Sequence, residues 1–387
     1  MKPANRLDRL PMYVFATLGA RLKALQAQGL DVIRLDMGSP DAPPPDFIIQ
    51  ALDKSAQDPG HHSYAGYFGT PALRQAIVDY YARRFGVGLS VTDEVLPLIG
   101  SKEGIANMAL AWLDPGDLAL VPDPGYPTYR MAAHMAGADV YNMPLLAEHG
   151  FLPDLAAIPN SVAQRARLMW LNYPNNPTGA VAPLSDLEQA LAFCREHDIL
   201  LCHDAPYADV CYDGYQAPSL LQVPGANDIS VEFNSLSKSH NLAGWRVGSV
   251  AGNRAAVQAL LQVKSNIDSG IFWPIQDAAV AALCGDQGWL AARNAEYQRR
   301  RDLIYSLLAG EWRLEVAKPV ASLYLWPRVP QGYTSAQFVD KILLSTGVSF
   351  TPGSEFGPHG EGYMRISVGQ TTDKVAEAVD RLRKLTF

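Results

Sequence analysis

The chain has 387 residues, with 32 Lys and Arg against 39 Asp and Glu for a formal charge of −7, and it is 48% apolar but only 18% charged. So much apolar material with so few charges excludes a disordered chain and predicts two domains or one large one. An acidic balance without any block of Lys or Arg excludes an electrostatic footprint for nucleic acid or an anionic membrane surface, leaving small molecules as the expected partners.

Residues 1–10 mix Lys2, Arg6, Asp8 and Arg9 with no apolar run, and no stretch reaches the roughly 18 apolar residues that span a bilayer, so a cytoplasmic protein is expected. A helical piece over 16–28, a strand over 32–37 and a Pro-rich turn over 40–45 come first. Short β-rich apolar runs then recur at 95–99, 118–121, 139–143, 167–172, 199–203, 229–233 and 247–251. Helical patterns lie between them at 71–85, 102–113, 128–136, 184–197 and 254–267. Strands alternating with helices predict an α/β fold, a mostly parallel sheet flanked by helices on both faces. Beyond residue 270 a long helical stretch runs through Leu307. Strand-like 321–326, helix-like 335–344, strand-like 364–368 and a closing helix from Thr372 follow, the signature of a smaller α+β domain. The expected division is a large domain over 46–285 and a small domain built from 286–387 with the N-terminal arm 1–45.

Cys194, Cys202, Cys211 and Cys284 lack C-x-x-C spacing and read as reduced, buried thiols. The pair His61-His62 has no companion at metal-ligand spacing, so no metal site is expected. No G-x-G-x-x-G run follows a strand, which argues against a nicotinamide dehydrogenase.

Ser235-Leu236-Ser237-Lys238 directly follows an apolar strand and precedes Gly244-Trp245-Arg246-Val247-Gly248. A lysine alone is usually a solvated amine. Two hydroxyls and a guanidinium eight residues on suit a phosphate dianion, and a lysine beside a phosphate site suggests a Schiff base. Asp204 closes the strand ending Cys202-His203-Asp204, with Tyr207 one short turn later; taken alone, such an Asp is as often a turn or helix cap. Facing a pyridine ring, Asp204 would keep the ring nitrogen protonated. At an effective dielectric of ~20 a contact ion pair is worth about 4 kcal/mol. The run Asn172-Tyr173-Pro174-Asn175-Asn176-Pro177-Thr178-Gly179 is dense in turn residues, and Asn176 before a proline is held away from the α region, free to present its amide inward. Gly100-Ser101-Lys102-Glu103-Gly104 follows a strand and opens a helix, a second cradle of backbone N–H groups for an anion.

These pieces, in this order from Gly38-Ser39-Pro40-Asp41 to Arg365, resemble the class I/II aminotransferases among the fold-type I pyridoxal 5′-phosphate enzymes, over nearly the whole chain. The resemblance implies that Lys238 bonds the cofactor aldehyde and then moves the substrate proton, that Asp204 binds the ring nitrogen and that Asn176 and Tyr207 bind the ring oxygen. It assigns the phosphate to the Ser101 and Lys102 backbone, Ser235, Ser237 and Arg246, with Tyr64 reaching in from a neighbouring subunit, and it stacks Tyr126 on the ring. Arg365, helped by the Gly38 amide, would clamp the substrate α-carboxylate. Ala205-Pro206 after Asp204 departs from relatives that carry an acidic or amide residue there, which reads as a subgroup marker.

The implied partners are an amino acid and a 2-oxo acid, in a homodimer with shared active sites. The segments 101–106, 206–219 and 268–272 look most like the branch holding LL-diaminopimelate, alanine and aspartate aminotransferases. LL-diaminopimelate with 2-oxoglutarate is the favoured pair; the alternatives are an alanine, aspartate or aromatic aminotransferase, or a C–S β-lyase with the same cofactor. Tyr13, Phe15, Tyr67, Lys102, Ser269 and Tyr324 are candidates for the distal substrate pocket.

Overall fold

A computed structural model describes residues 2–387. Its strands are β1 (Ile33–Arg34), β2 (Val95–Leu98), β3 (Leu118–Asp123), β4 (Asp139–Pro144), β5 (Ala166–Asn172), β6 (Leu200–Asp204), β7 (Ser230–Ser235), β8 (Gly248–Gly252), β9 (Tyr324–Leu325), β10 (Val348–Ser349), β11 (Thr351–Pro352) and β12 (Met364–Ser367). Seven of them form one sheet in the order β2-β8-β7-β6-β5-β3-β4, in which only β8 runs against the rest.

Strand periodicity explains how both faces are covered. Leu168 and Trp170 point to one side with Ala119 and Val121, where Ile105, Met108, Tyr129, Val257 and Leu260 pack from the helices Ser101–Trp112, Thr128–Ala136 and Arg254–Lys264. Met169 and Leu171 point to the other side with Leu120 and Leu201, covered by Leu73, Ile77, Leu187, Leu191 and Ala278 from Pro71–Phe85, Leu184–Glu196 and Trp273–Cys284. Sheets buried on both faces read as continuous apolar runs, and β3, β6, β7 and β8 are buried at every residue.

A third apolar cluster joins Ile33 and Leu35 to Tyr297, Phe338, Ile342, Phe350, Ile366 and Val379. It lies around β12, which pairs antiparallel with β9 and β11, and around β10, which pairs parallel with β1 of the N-terminal arm.

Several boundaries differ from expectation. The strands expected at 32–37 and 321–326 shrink to two residues each, because β1 finds a partner only at Val348 and Ser349, and β9 only at Ile366 and Ser367. The helix expected to reach 267 ends at Lys264, whose buried amine turns back to Asp268 at 2.7 Å while the Asp268 amide closes on the Lys264 carbonyl. The long stretch through Leu307 is two helices, Trp273–Cys284 and Gly288–Tyr305, the second running on into a wider π-helical turn at Ser306–Glu311. Cys194 and Cys202 are buried as expected; Cys284 is exposed, because it closes a helix at the surface, and Cys211 is half-buried. No helix among the described residues is long and apolar enough to cross a membrane.

Candidate active site

Strand register decides what converges. Leu98 and Ser235 both pair with Gly248, and Asn172 pairs with Asp204, so the loops after β2, β3, β5, β6 and β7 and the loop before β8 leave from one edge of the sheet. A cavity of about 430 Å³ opens there, lined by Gly38, Ser101, Lys102, Tyr126, Asn176, Asp204, Tyr207, Ser235, Ser237, Lys238, Arg246 and Arg365.

Lys238 follows β7 in the short helix Leu236–Ser239, and its Nζ donates to the Gly38 carbonyl at 2.5 Å. Burial, with the Arg365 and Arg246 charges adding to it, pulls this amine down from its usual range to about 8. Gly38, expected to help the substrate carboxylate through its amide, receives Lys238 on its carbonyl, across 200 residues of sequence. No side chain fits at position 38, since a Cβ would lie 1.8 Å from the Tyr324 hydroxyl.

Asp204 ends β6 fully enclosed. Burial raises its carboxyl to about 6, against the opposing pull of a hydrogen bond from Tyr129 and of His203. Tyr129 donates its hydroxyl to Oδ2 at 2.7 Å, while Oδ1 has no partner among the described residues. A buried acceptor left unpaired is costly, so such an atom marks where a donor belongs. Asn172 at the end of β5 donates to the Asp204 carbonyl at 2.7 Å and accepts from the Asn176 amide at 2.8 Å, fixing both neighbours.

Arg365, in the middle of β12, is 2% exposed. Its guanidinium donates to Asn176 Oδ1 at 2.8 Å and to the Asp36 carbonyl at 2.6 Å, meeting only neutral acceptors, while its Nε has no partner. Phe15, Tyr324 and Phe356 enclose it with ring centroids 5.0, 4.5 and 4.7 Å away. A desolvated cation without a carboxylate is an anion receptor. Tyr207 hydrogen-bonds Tyr324 at 2.7 Å, and burial first, then that phenol, push its own pKa well up, so it remains a neutral hydroxyl.

A different cup lies at the other end. Gly100 precedes the helix Ser101–Trp112, whose first N–H groups no side chain caps. Ser237 Oγ accepts from Arg246 at 3.4 Å, and Ser235 Oγ accepts from the Ser237 amide. Gly100 sits at φ +74°, and a Cβ there would lie 2.2 Å from an Arg246 nitrogen, so backbone conformation and space both demand glycine.

Of the distal-pocket candidates, Tyr13, Phe15, Lys102 and Tyr324 line the cavity; Tyr67 and Ser269 do not, and neither does Tyr64, which is 84% exposed. Tyr126 lines it too, with its hydroxyl 3.4 Å from that of Tyr13. Sequence reasoning missed Tyr129, Asn172, Asp36 and Phe356. Asn172 alone stood in the conspicuous turn-rich run; the other three carry no local signal.

A family described as aminotransferase class I and II matches residues 30–382, and the chain belongs to it. It is an enzyme of the transaminase type. An LL-diaminopimelate aminotransferase of Moorella thermoacetica is 48% identical over 386 residues, which cover 100% of this chain and 98% of that one. Another so named, from Desulforudis audaxviator, is 48% identical over 98% of this chain and 97% of its own. Among solved structures, apo-BacF from Bacillus subtilis superposes with a TM-score of 0.96 at 36% identity, covering 100% of this chain and 99% of that one. A probable N-succinyldiaminopimelate aminotransferase from Thermus thermophilus superposes with a TM-score of 0.89 at 36% identity, covering 96% and 99%.

Proposed function

We propose that this aminotransferase holds pyridoxal 5′-phosphate on Lys238 and moves the amino group of LL-diaminopimelate to 2-oxoglutarate. The observation that carries the cofactor is a pair of groups on one cavity: a half-buried amine lowered to about 8 and a buried carboxylate whose Oδ1 lacks a donor. Lys238 would bond the aldehyde, Asp204 Oδ1 would take the ring N–H, and Asn176 and Tyr207 would face the ring oxygen. Ser101 and Lys102 amides, Ser235, Ser237 and Arg246 would hold the phosphate, Tyr126 the ring face. When bound, the cofactor supplies an electrophilic aldehyde and a protonated ring that accepts the electron pair left when a Cα–H bond breaks.

The protein's own groups do the rest. Arg365 orients the α-carboxylate, and its aromatic surround excludes water from the ion pair. Lys238 Nζ, with its lowered basicity, takes the Cα proton and returns it to the other carbon of the exchange. Asp204, held by Tyr129 and Asn172, keeps a proton on the opposite edge. The pairing with LL-diaminopimelate is supported by the full-length relatives so named and by a further cation on the cavity wall: Lys102, whose Nζ lies 3.7 Å from the centre of the Tyr13 ring, suits a second substrate carboxylate. The same reading divides the chain into 46–285 and 1–45 with 286–387. It also makes the molecule a homodimer in which Tyr64 serves the partner's phosphate, supported by the exposed aromatics Tyr64, Tyr67, Phe68 and Phe272.

A screen of amino donors against 2-oxoglutarate and pyruvate tests the reading. LL-diaminopimelate should be the fastest donor, and borohydride should fix pyridoxal phosphate on Lys238. Turnover of other donors without LL-diaminopimelate overturns the substrate; failure to take up the cofactor overturns the site. Release of pyruvate and ammonia without an acceptor would instead assign a lyase.

A further inference from the structure

Asp123 is the last residue of β3 and wholly buried, yet both of its carboxylate oxygens go to one residue from a remote segment. Oδ1 accepts the His359 main-chain N–H at 3.2 Å, and Oδ2 accepts its Nδ1–H at 2.9 Å. Two residues on, the Gly125 amide donates to the Phe356 carbonyl at 2.9 Å. Three hydrogen bonds, two of them to a carboxylate, therefore join the turn 123–126 to the turn 356–359. The first turn delivers a wall of the cavity, since Tyr126 follows Gly125 directly, and the second delivers the backing of its carboxylate end, since Phe356 lies 4.7 Å from the Arg365 guanidinium and 5.8 Å from Trp326. The two turns come from different layers, β3 of the seven-stranded sheet and the segment between β11 and β12.

We infer that the Asp123–His359 pair is a clip that sets the spacing between Tyr126 and Arg365, and so between the cofactor face and the carboxylate receptor. This rests on the site reading above. His359 and Asp123 touch neither cofactor nor substrate on that reading; they are positioning residues. Charge-assisted bonds that arrive twice at one carboxylate are strong and fix orientation, which a single bond would not. The imidazole is itself 40% exposed, so it can be changed without opening the core.

His359→Ala and His359→Asn separate positioning from folding, because the Asn amide nitrogen can stand where Nδ1 does. In the holoenzyme, His359→Ala should raise KM for amino donor and 2-oxo acid alike by about tenfold, the factor that one lost hydrogen bond to a charged group corresponds to. kcat and cofactor affinity should stay within about twofold, and the dissociation constant of glutarate, an unreactive dicarboxylate, should rise with KM. His359→Asn should restore all three to near wild type. Amide hydrogen exchange over 123–126 and 356–360 should accelerate together in His359→Ala, with or without cofactor. An unchanged KM, a fall in kcat alone, an Asn variant no better than Ala, or exchange unchanged in either turn overturns the clip. A wild-type chain that refuses pyridoxal phosphate overturns the site reading instead, and the exchange experiment still decides the clip.

Discussion

Arg246 and Arg365 line the same cavity, but the protein builds them in opposite ways. Arg246 is solvent-exposed, sits in the left-handed region at φ +58° beside Ser237, and completes a cup whose other members lie within a dozen residues of it or at the start of one helix. Arg365 is buried, and most of what touches it comes from afar, Asp36, Asn176, Phe15 and Tyr324, with Phe356 alone close in sequence. An open cup of amides and hydroxyls suits a phosphate that keeps part of its hydration. A dry guanidinium among rings suits a small carboxylate that must be held in one orientation.

Lys238 stands between the two ends, and its loss should have the largest effect. Lys238→Ala should cut kcat by about 10⁴-fold or more, as removal of the covalent and proton-moving group does in other enzymes, measured by single-turnover absorbance. Next comes the direct contrast between the arginines. Arg365→Leu should lower kcat/KM for both substrates by about 10³-fold, because a buried ion pair is lost, with cofactor affinity unchanged. Arg246→Leu should do the reverse, weakening pyridoxal phosphate by about 10²-fold while leaving KM near wild type once cofactor saturates. If either variant moved both quantities equally, the two ends would not be separate receptors.

The pH dependence of the cofactor-free chain sharpens the picture. Folding lowers Lys238 from 10.5 to about 8, so the folded state carries fewer protons between those values and stability rises as pH climbs through them. The gain should be about 3 kcal/mol and absent from Lys238→Met, read as the difference between the two chemical-denaturation curves. Asp204 acts oppositely: raised from 3.8 to about 6, it makes the folded state lose stability as pH climbs through that window, a loss missing from Asp204→Asn. Smallest should be Gly100→Ala, which strains a positive φ and crowds Arg246; it should weaken cofactor binding about tenfold and leave KM for the amino donor unchanged.

Legibility follows the same division. Lys238, Asp204, Asn176 and Ser101 each stand at or just beyond the end of a strand, and a strand's end shows in the sequence as apolar residues giving way to glycine, proline, serine or asparagine. Both faces of the sheet were readable for that reason, since the run from Leu168 to Leu171 feeds two cores by simple alternation. Tyr64 shows where such reading stops: its expected role belongs to a second chain, and within one chain it stands in the open.

Alone, the sequence determined the alternation of strands and helices and the residue types at each strand end, because these depend on neighbours a few residues away. Only the folded chain decided that Tyr129 donates to Asp204, that the Gly38 carbonyl receives Lys238, that three rings enclose Arg365 and that His359 clips Asp123. The three hydrogen bonds among them join residues 75, 200 and 236 positions apart. They depend on strand order and register, through which close packing brings remote side chains to within hydrogen-bonding distance, and no local pattern encodes that meeting.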